Sequence, residues 1–155
     1  MSALASHFWE VQQMQEADLN EVLTVEARAY AFPWTQGIFR DCLQAGYRGW
    51  VLRGLDGMIS AYAMISMAVG EAHVLNLCVD PDRRRQGMAR LLLQHILQVA
   101  RSENICVVIL EVRRSNRAAI KLYQGFGFRN IGTRKDYYPA AEGREDAFVL
   151  ALDLV

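Results

Sequence analysis

The chain has 155 residues, with 17 Lys and Arg against 17 Asp and Glu. Its length fits one domain by the prior of roughly 100–200 residues per domain, and the zero net charge argues against a protein that coats DNA or binds membranes through a polybasic surface. The balance hides an asymmetry: the net charge is −6 over residues 1–82, +10 over 83–135 and −4 over 136–155, so the middle of the chain is built to meet something negative.

In chain order, His7 to Gln12 is expected to form a first strand. Asp18 with Glu21 three residues on has capping-box spacing, and Leu19, Val22, Leu23, Ala27 and Tyr30 follow at helical period. Phe32-Pro33-Trp34 stops that helix. Thr35 caps a second helix with an apolar face of Ile38, Phe39, Cys42 and Leu43, ended by Gly46. Trp50 to Arg53, Met58 to Ala68 and Glu71 to Val79 read as three strands joined by tight turns, the first turn carrying Asp56-Gly57.

Asp80-Pro81 closes the meander. A basic loop then leads into a long amphipathic helix ending near Glu103, with Met88, Leu91, Leu92, Ile96 and Val99 inward. Ile105 to Leu110 is a continuous apolar run and reads as a buried central strand. A short helix over Asn116 to Gln124 and strands over Phe128 to Tyr137 and Asp146 to Leu154 complete the order β-α-α-β-β-β-α-β-α-β-β. The expected class is α/β with a mixed, mostly antiparallel sheet of about seven strands and about four helices.

A hydrophobic fraction of 52% suits a folded domain, and no apolar run approaches the roughly 18–20 residues of a membrane span. The first seven residues lack the basic and apolar regions of a secretory signal. Cys42, Cys78 and Cys106 are odd in number and far apart, the usage expected of reduced thiols in the cytoplasm. His7, His73 and His95 form no ligand-spaced cluster, so no metal is expected.

The stretch Val79 to Ala89 is the most informative: a strand, an Arg- and Gly-containing loop and a helix start. The first amides of a helix lack intrahelical partners and carry the positive end of its dipole, which together cradle a phosphate. Two other readings of Arg83, Arg84 and Arg85 compete with the cradle, a solvated charge run first and a nucleic-acid patch well behind it. The loop is neither Gly-x-Gly-x-x-Gly nor a Walker loop, which argues against dinucleotide redox chemistry and nucleotide hydrolysis.

Arg84-x-x-Gly87-x-Ala89 resembles the pyrophosphate loop of the GNAT acetyltransferases. Asn76 to Pro81 is similar to that family's preceding strand. Leu110 to Arg113, Ser115-Asn116, Ala119-Ile120-x-Leu122-Tyr123 and Gly127-Phe128 follow with its spacing. A narrower resemblance, to the bacterial ribosomal-protein-alanine N-acetyltransferases, is carried by Glu26-x-x-Ala29-x-Ala31-Phe32-Pro33-Trp34, Tyr137-Tyr138-Pro139 and Gly143 to Ala147. Those enzymes acetylate the N-terminal alanine of small-subunit ribosomal protein eighteen. Arg84 and Ala89 stand where the most similar relatives carry Gln and Gly, both within the broad motif.

The resemblance implies a single acetyl-CoA-dependent domain over residues 1–155, cytoplasmic and monomeric. Its partner would be a ribosomal protein N-terminus, with no nucleic acid and no membrane. The cofactor pyrophosphate would rest on the loop and its amides, at Arg84, Arg85, Gln86, Gly87, Met88, Ala89 and Arg90. Leu77, Cys78 and Val79 would line the acetyl and pantetheine arm, with the Val79 amide on the thioester oxygen and Asn116 as a further contact. Glu111 would be the general base and Tyr123 the general acid. Glu111 closes an apolar run, where desolvation is expected to raise its pKa; from the residues alone it is equally an acid at an exposed strand end. Tyr123 is otherwise a core aromatic beside Leu122 and Phe126. Phe32, Trp34, Tyr137 and Tyr138 are either walls of a groove for the substrate N-terminus or ordinary packing around two prolines. Glu26 and Arg28 read as helix-surface charges, and Asp136, Glu142, Glu145 and Asp146 as a field attracting a basic tail. Cys78 is not needed as a nucleophile in a direct transfer. A GNAT enzyme for a small amine or protein lysine, and a CoA-binding module without catalysis, are the competing readings.

Overall fold

The alternation of short turns and apolar strands produces a seven-stranded sheet in the order β1-β2-β3-β4-β5-β7-β6. The computed structural model describes residues 9–155. The strands are β1 (Glu10–Gln13), β2 (Arg48–Arg53), β3 (Ile59–Ala68), β4 (Glu71–Val79), β5 (Val107–Arg113), β6 (Arg129–Pro139) and β7 (Arg144–Asp153). The helices are α1 (Leu19–Ala29), α2 (Gln36–Gln44), α3 (Met88–Ser102) and α4 (Arg117–Gly125). The expected α/β class is observed. The β4–β5 ladder is parallel, from Glu71↔Val107 to Val74↔Leu110. The pairs β1–β2, β2–β3, β5–β7 and β6–β7 are antiparallel. Of the expected first strand, His7 and Phe8 lie outside the described residues.

The contacts divide the chain into two compact units. One comprises the chain up to Ser66 together with Leu75–Gln98; the other comprises Met67–Val74 and Val99–Val155. The first unit's core gathers Leu19, Val22 and Val25 of α1, Phe39 of α2, and Val51, Ile59, Tyr62 and Met64 of the meander. Phe39 stands edge-on to Tyr62 at 5.9 Å and to Trp34 at 5.1 Å, which adds aromatic contact energy to area burial.

Three local expectations are corrected by tertiary partners. Asp18 does not cap α1; its carboxylate accepts from the Gln15 amide and from Arg53, and Glu21 accepts from the Ile59 amide and Arg53. The buried face of α1 is Leu19, Val22, Val25 and Glu26, with Ala27 and Tyr30 exposed. Glu26 therefore is not a surface charge. In α3 the buried stripe is Met88, Leu92, Leu93, Ile96, Leu97 and Ala100, with Leu91 and Val99 at its margins. Thr35 does cap α2, its hydroxyl accepting from the Ile38 amide at 3.3 Å.

In the second unit β5 starts two residues later than expected and alternates. Val108, Leu110 and Val112 are buried, while Ile109, Glu111 and Arg113 share the half-buried opposite face. Ile105 instead belongs to the turn that ends α3, where Asn104 has φ 60° and the Ile105 amide donates to Ala100 O at 3.0 Å.

Candidate active site

In the first unit, the segment after β4 is built as a rigid lead into an exposed loop. The Asp80 carboxylate is buried, caps the 3-10 turn Pro81–Arg83 by accepting from the Asp82 amide, and takes a 2.7 Å ion pair from Arg28. Arg28 also reaches Asp82 at 2.9 Å, so it straps α1 to the turn and is not a simple surface charge. Arg83 bonds Ser60 Oγ at 2.7 Å and Asp56 at 2.8 Å. Its role is internal support, whereas Arg84, Arg85, Gln86 and Gly87 are exposed.

The loop backbone alternates. Arg84 is extended, Arg85 has φ 66° and Gly87 has φ 82°. A Cβ on Gly87 would meet nothing within 4 Å, so glycine serves the left-handed conformation there and leaves open space in front of it. The Leu91 amide donates to Gly87 O at 3.0 Å, so Gly87 is the residue from which α3 departs. The amides of Met88 and Ala89 then have no carbonyl of their own helix to bond. Met88 turns its side chain into the core. Ala89 lies within α3, where no special φ is required of it, so its difference from Gly carries no backbone cost. Exposed arginines, an open glycine and helix-opening amides together fit a pyrophosphate.

Just upstream, the Leu77 carbonyl accepts from the Tyr30 hydroxyl at 3.3 Å. Cys78 is buried and burial pushes its thiol up to about 11, which keeps it protonated at neutral pH and unsuited to nucleophilic attack. Glu26, 2% exposed, organises this side. It accepts from Tyr62 Oη at 2.5 Å, Asn76 Nδ2 at 3.0 Å and the Trp34 amide at 2.9 Å. These bonds tie α1 to β3, to β4 and to the segment between α1 and α2, which carries Phe32, half exposed, and Trp34, packed on Phe39.

In the second unit, Glu111 on β5 is opposite Val149 on β7. Its carboxylate Oε2 lies 2.6 Å from His73 Nε2. Burial pushes the carboxyl up, but the His73 hydrogen bond and charge, Arg134 and the Tyr137 hydroxyl outweigh it, and the group sits below its usual value. The expected upward shift is thus reversed, because desolvation is answered by donors and positive charge.

Tyr123 is buried in α4, edge-on to Phe128 at 5.6 Å. Burial, and then the Tyr138 phenol, push its pKa well up. Tyr138 is itself pushed up to about 12 by burial, Tyr137 and Glu111. Arg113 lies 4.5 Å over the Tyr138 ring, and Tyr137 is edge-on to it at 4.9 Å. Tyr138 thereby lies within electrostatic reach of Glu111, Tyr123 and Tyr137.

A bulge presents the two tyrosines. From Arg134 to Tyr138 the strand β6 takes four steps while its partners on β7, Ala147 and Glu145, are two apart. Asp136 sits at φ 52° in this bulge, held by the Asp146 carboxylate on its amide and by Arg144 on its carbonyl. Glu145 accepts from the Ser115 amide at 2.8 Å and Arg113 at 3.1 Å. Asp146 and Glu145 thus also serve as struts, Asp146 on the Asp136 amide and Glu145 on Ser115 and Arg113. Asn116 spends its side-chain oxygen on capping α4, accepting from the Ala119 amide at 3.2 Å.

Residues 8–128 match the model of the acetyltransferase (GNAT) family. The chain belongs to the GNAT family. Among its relatives is the ribosomal protein bS18-alanine N-acetyltransferase of Escherichia coli strain K12, 37% identical over 144 residues that cover 93% of this chain and 97% of the relative. The enzyme of the same name from Salmonella typhimurium is 38% identical over 141 residues, covering 91% and 95%. The crystal structure of the Escherichia coli ribosomal-protein-S18-alanine N-acetyltransferase superposes with a TM-score of 0.89 at 36% identity, covering 94% of this chain and 93% of that one.

Two polar anchors of the structure, Glu26 in the first unit and His73 in the second, were not read as such from the sequence. Glu26 had a signal: it lies seven residues after Leu19 and four after Val22, on the apolar stripe of α1, where an acid must find donors. His73 had none, because its partner is set by the register of a parallel ladder between strands distant in sequence.

Proposed function

We propose that this GNAT enzyme transfers the acetyl group of acetyl-CoA to the α-amine of an N-terminal alanine on small-subunit ribosomal protein bS18. The observation that carries this reading is 37% identity over 93% of the chain, and 97% of the relative, to an enzyme of that name. We read the chain as one catalytic domain acting in the cytoplasm as a monomer. Among the described residues no helix is long and apolar enough to cross a membrane.

Acetyl-CoA supplies the thioester whose acetyl carbon the amine attacks. In this reading Arg84, Arg85, Gln86 and Gly87, with the opening amides of α3, hold the pyrophosphate, and the backbone of Leu77 to Val79 and Asn116 give further hydrogen bonds. An α-amine has a pKa of about 7.7–8.0, so a sizeable fraction is neutral at pH 7. As the nitrogen–carbon bond forms and the carbon–sulfur bond breaks, Glu111 takes the proton lost by nitrogen. Tyr123, protonated throughout the neutral range, donates to the departing sulfur. Phe32, Trp34, Tyr137 and Tyr138 contact the substrate N-terminus. The test is incubation with acetyl-CoA and peptides that differ only in their first residue, following thiol release. Ala-first peptides are expected to be the best substrates; equal rates for all first residues, or none for any, would overturn the reading.

A further inference from the structure

His73 of β4 is the ladder partner of Ile109, and Glu111 lies two residues beyond Ile109 on β5. Side chains two apart share a face of a sheet, so the parallel register itself sets the imidazole beside the carboxylate. The contact is short, 2.6 Å from Nε2 to Oε2, and unequal in exposure: the carboxylate side chain is 6% exposed and the imidazole 37%. A carboxylate so enclosed is costly to ionise unless hydrogen-bonded or paired.

We propose that His73 is a positioning residue for the transfer: by donating to Oε2 it holds the Glu111 carboxylate ionised and oriented to accept the amine proton. The inference rests on Glu111 being the base. In either the Nε2–H tautomer or the imidazolium, His73 donates to Oε2. The proton arriving from the amine then forms one new O–H bond on the carboxylate, and the His73 N–H is not consumed. An acid held below its usual range gives that proton up to water readily, which resets the base for the next cycle. The other groups facing Glu111 are Arg134 and Tyr137, which act in the same direction, and the Tyr138 phenol beside them. Arg134 and both tyrosines come from β6, so His73 is the contribution of β4 to this set.

The test compares kcat/KM against pH for the native enzyme, His73→Gln and His73→Leu, with an Ala-first peptide and saturating acetyl-CoA. The same three proteins are titrated by carboxyl ¹³C NMR of Glu111, which needs no activity. Gln keeps a donor and loses the charge; Leu loses both. The NMR midpoint, and the second break of the acid limb that lies below the one set by the substrate amine, are expected to rise in the order native, His73→Gln, His73→Leu. The total rise is about one pH unit, or roughly tenfold in activity on the acid side. A purely structural loss would lower activity at every pH without moving the limb. Unchanged midpoints in all three, with Glu111→Gln inactive, would overturn the role of His73 while leaving Glu111 as the base. Full activity in Glu111→Gln would overturn the base, and this inference with it.

Discussion

Replacing Glu26 by alanine tests the architecture of the first unit. The carboxylate accepts from Tyr62, Asn76 and the Trp34 amide, and only 2% of the residue is exposed. Truncation strands three donors. A buried donor left unsatisfied costs about 1–3 kcal/mol. Tyr62 is fully buried and belongs near the top of that range; Asn76 and Trp34 are half-buried, reach water more easily, and belong near the bottom. The expected loss is about 4 kcal/mol, a large part of the roughly 5–15 kcal/mol that holds a domain together. Tyr62→Phe removes one donor and should cost about 1–3 kcal/mol. Because both changes break the same bond, the double variant should cost less than the two losses added, by about 1–2 kcal/mol. Urea unfolding with the slope m monitored measures all three. A Glu26→Ala loss below about 1 kcal/mol, or strict additivity in the double variant, would refute the reasoning.

Gly87→Ala forces an L-residue to φ 82°, so it should cost about 1–2 kcal/mol of stability. The loss of close approach should also weaken acetyl-CoA binding by roughly tenfold in calorimetry. Cys78 is buried with its thiol pushed up to about 11, and Cys106 is exposed; at pH 8 iodoacetamide should label Cys106 and spare Cys78, as read by peptide mapping. Glu111 and Glu145 both sit below the usual carboxylate value, Glu145 through its bonds from Ser115 and then Arg113. A lowered folded pKa gives stability that is complete above the unfolded value of about 4.3 and lost as pH falls through the folded one. Burial holds the His95 imidazole below its usual value, so the unfolding temperature should decline first below about pH 6.5; the carboxylates add a further fall below about pH 4, less steep in Glu111→Gln.

The order of elements was legible because each is announced locally. Thr35 before an apolar stripe, Gly57 in the short connection between β2 and β3 and the β4 alternation need no knowledge of the rest of the chain. The loop was legible for the same reason, since strand, glycine and helix start are contiguous. What failed depended on partners far along the chain. Asp18 prefers Arg53, 35 residues on, to its own helix. The hydrogen bonds of Asp146 to the β6 bulge and of Glu145 to Ser115 and Arg113 are not announced by their own neighbourhoods. The sign of the Glu111 shift needed His73, 38 residues away, and Arg134. Burial of the carboxylate could be anticipated from the apolar run before it, but the donors that answer that burial could not.

The central claim is met most directly by mapping the acetyl group itself. The enzyme is given acetyl-CoA and a peptide that begins with alanine and carries an internal lysine, and the product is fragmented by mass spectrometry. The account predicts a single acetyl group on the alanine nitrogen, absent when that nitrogen is blocked beforehand. Acetylation of the lysine side chain at a comparable rate, or turnover undiminished by the block, would contradict it.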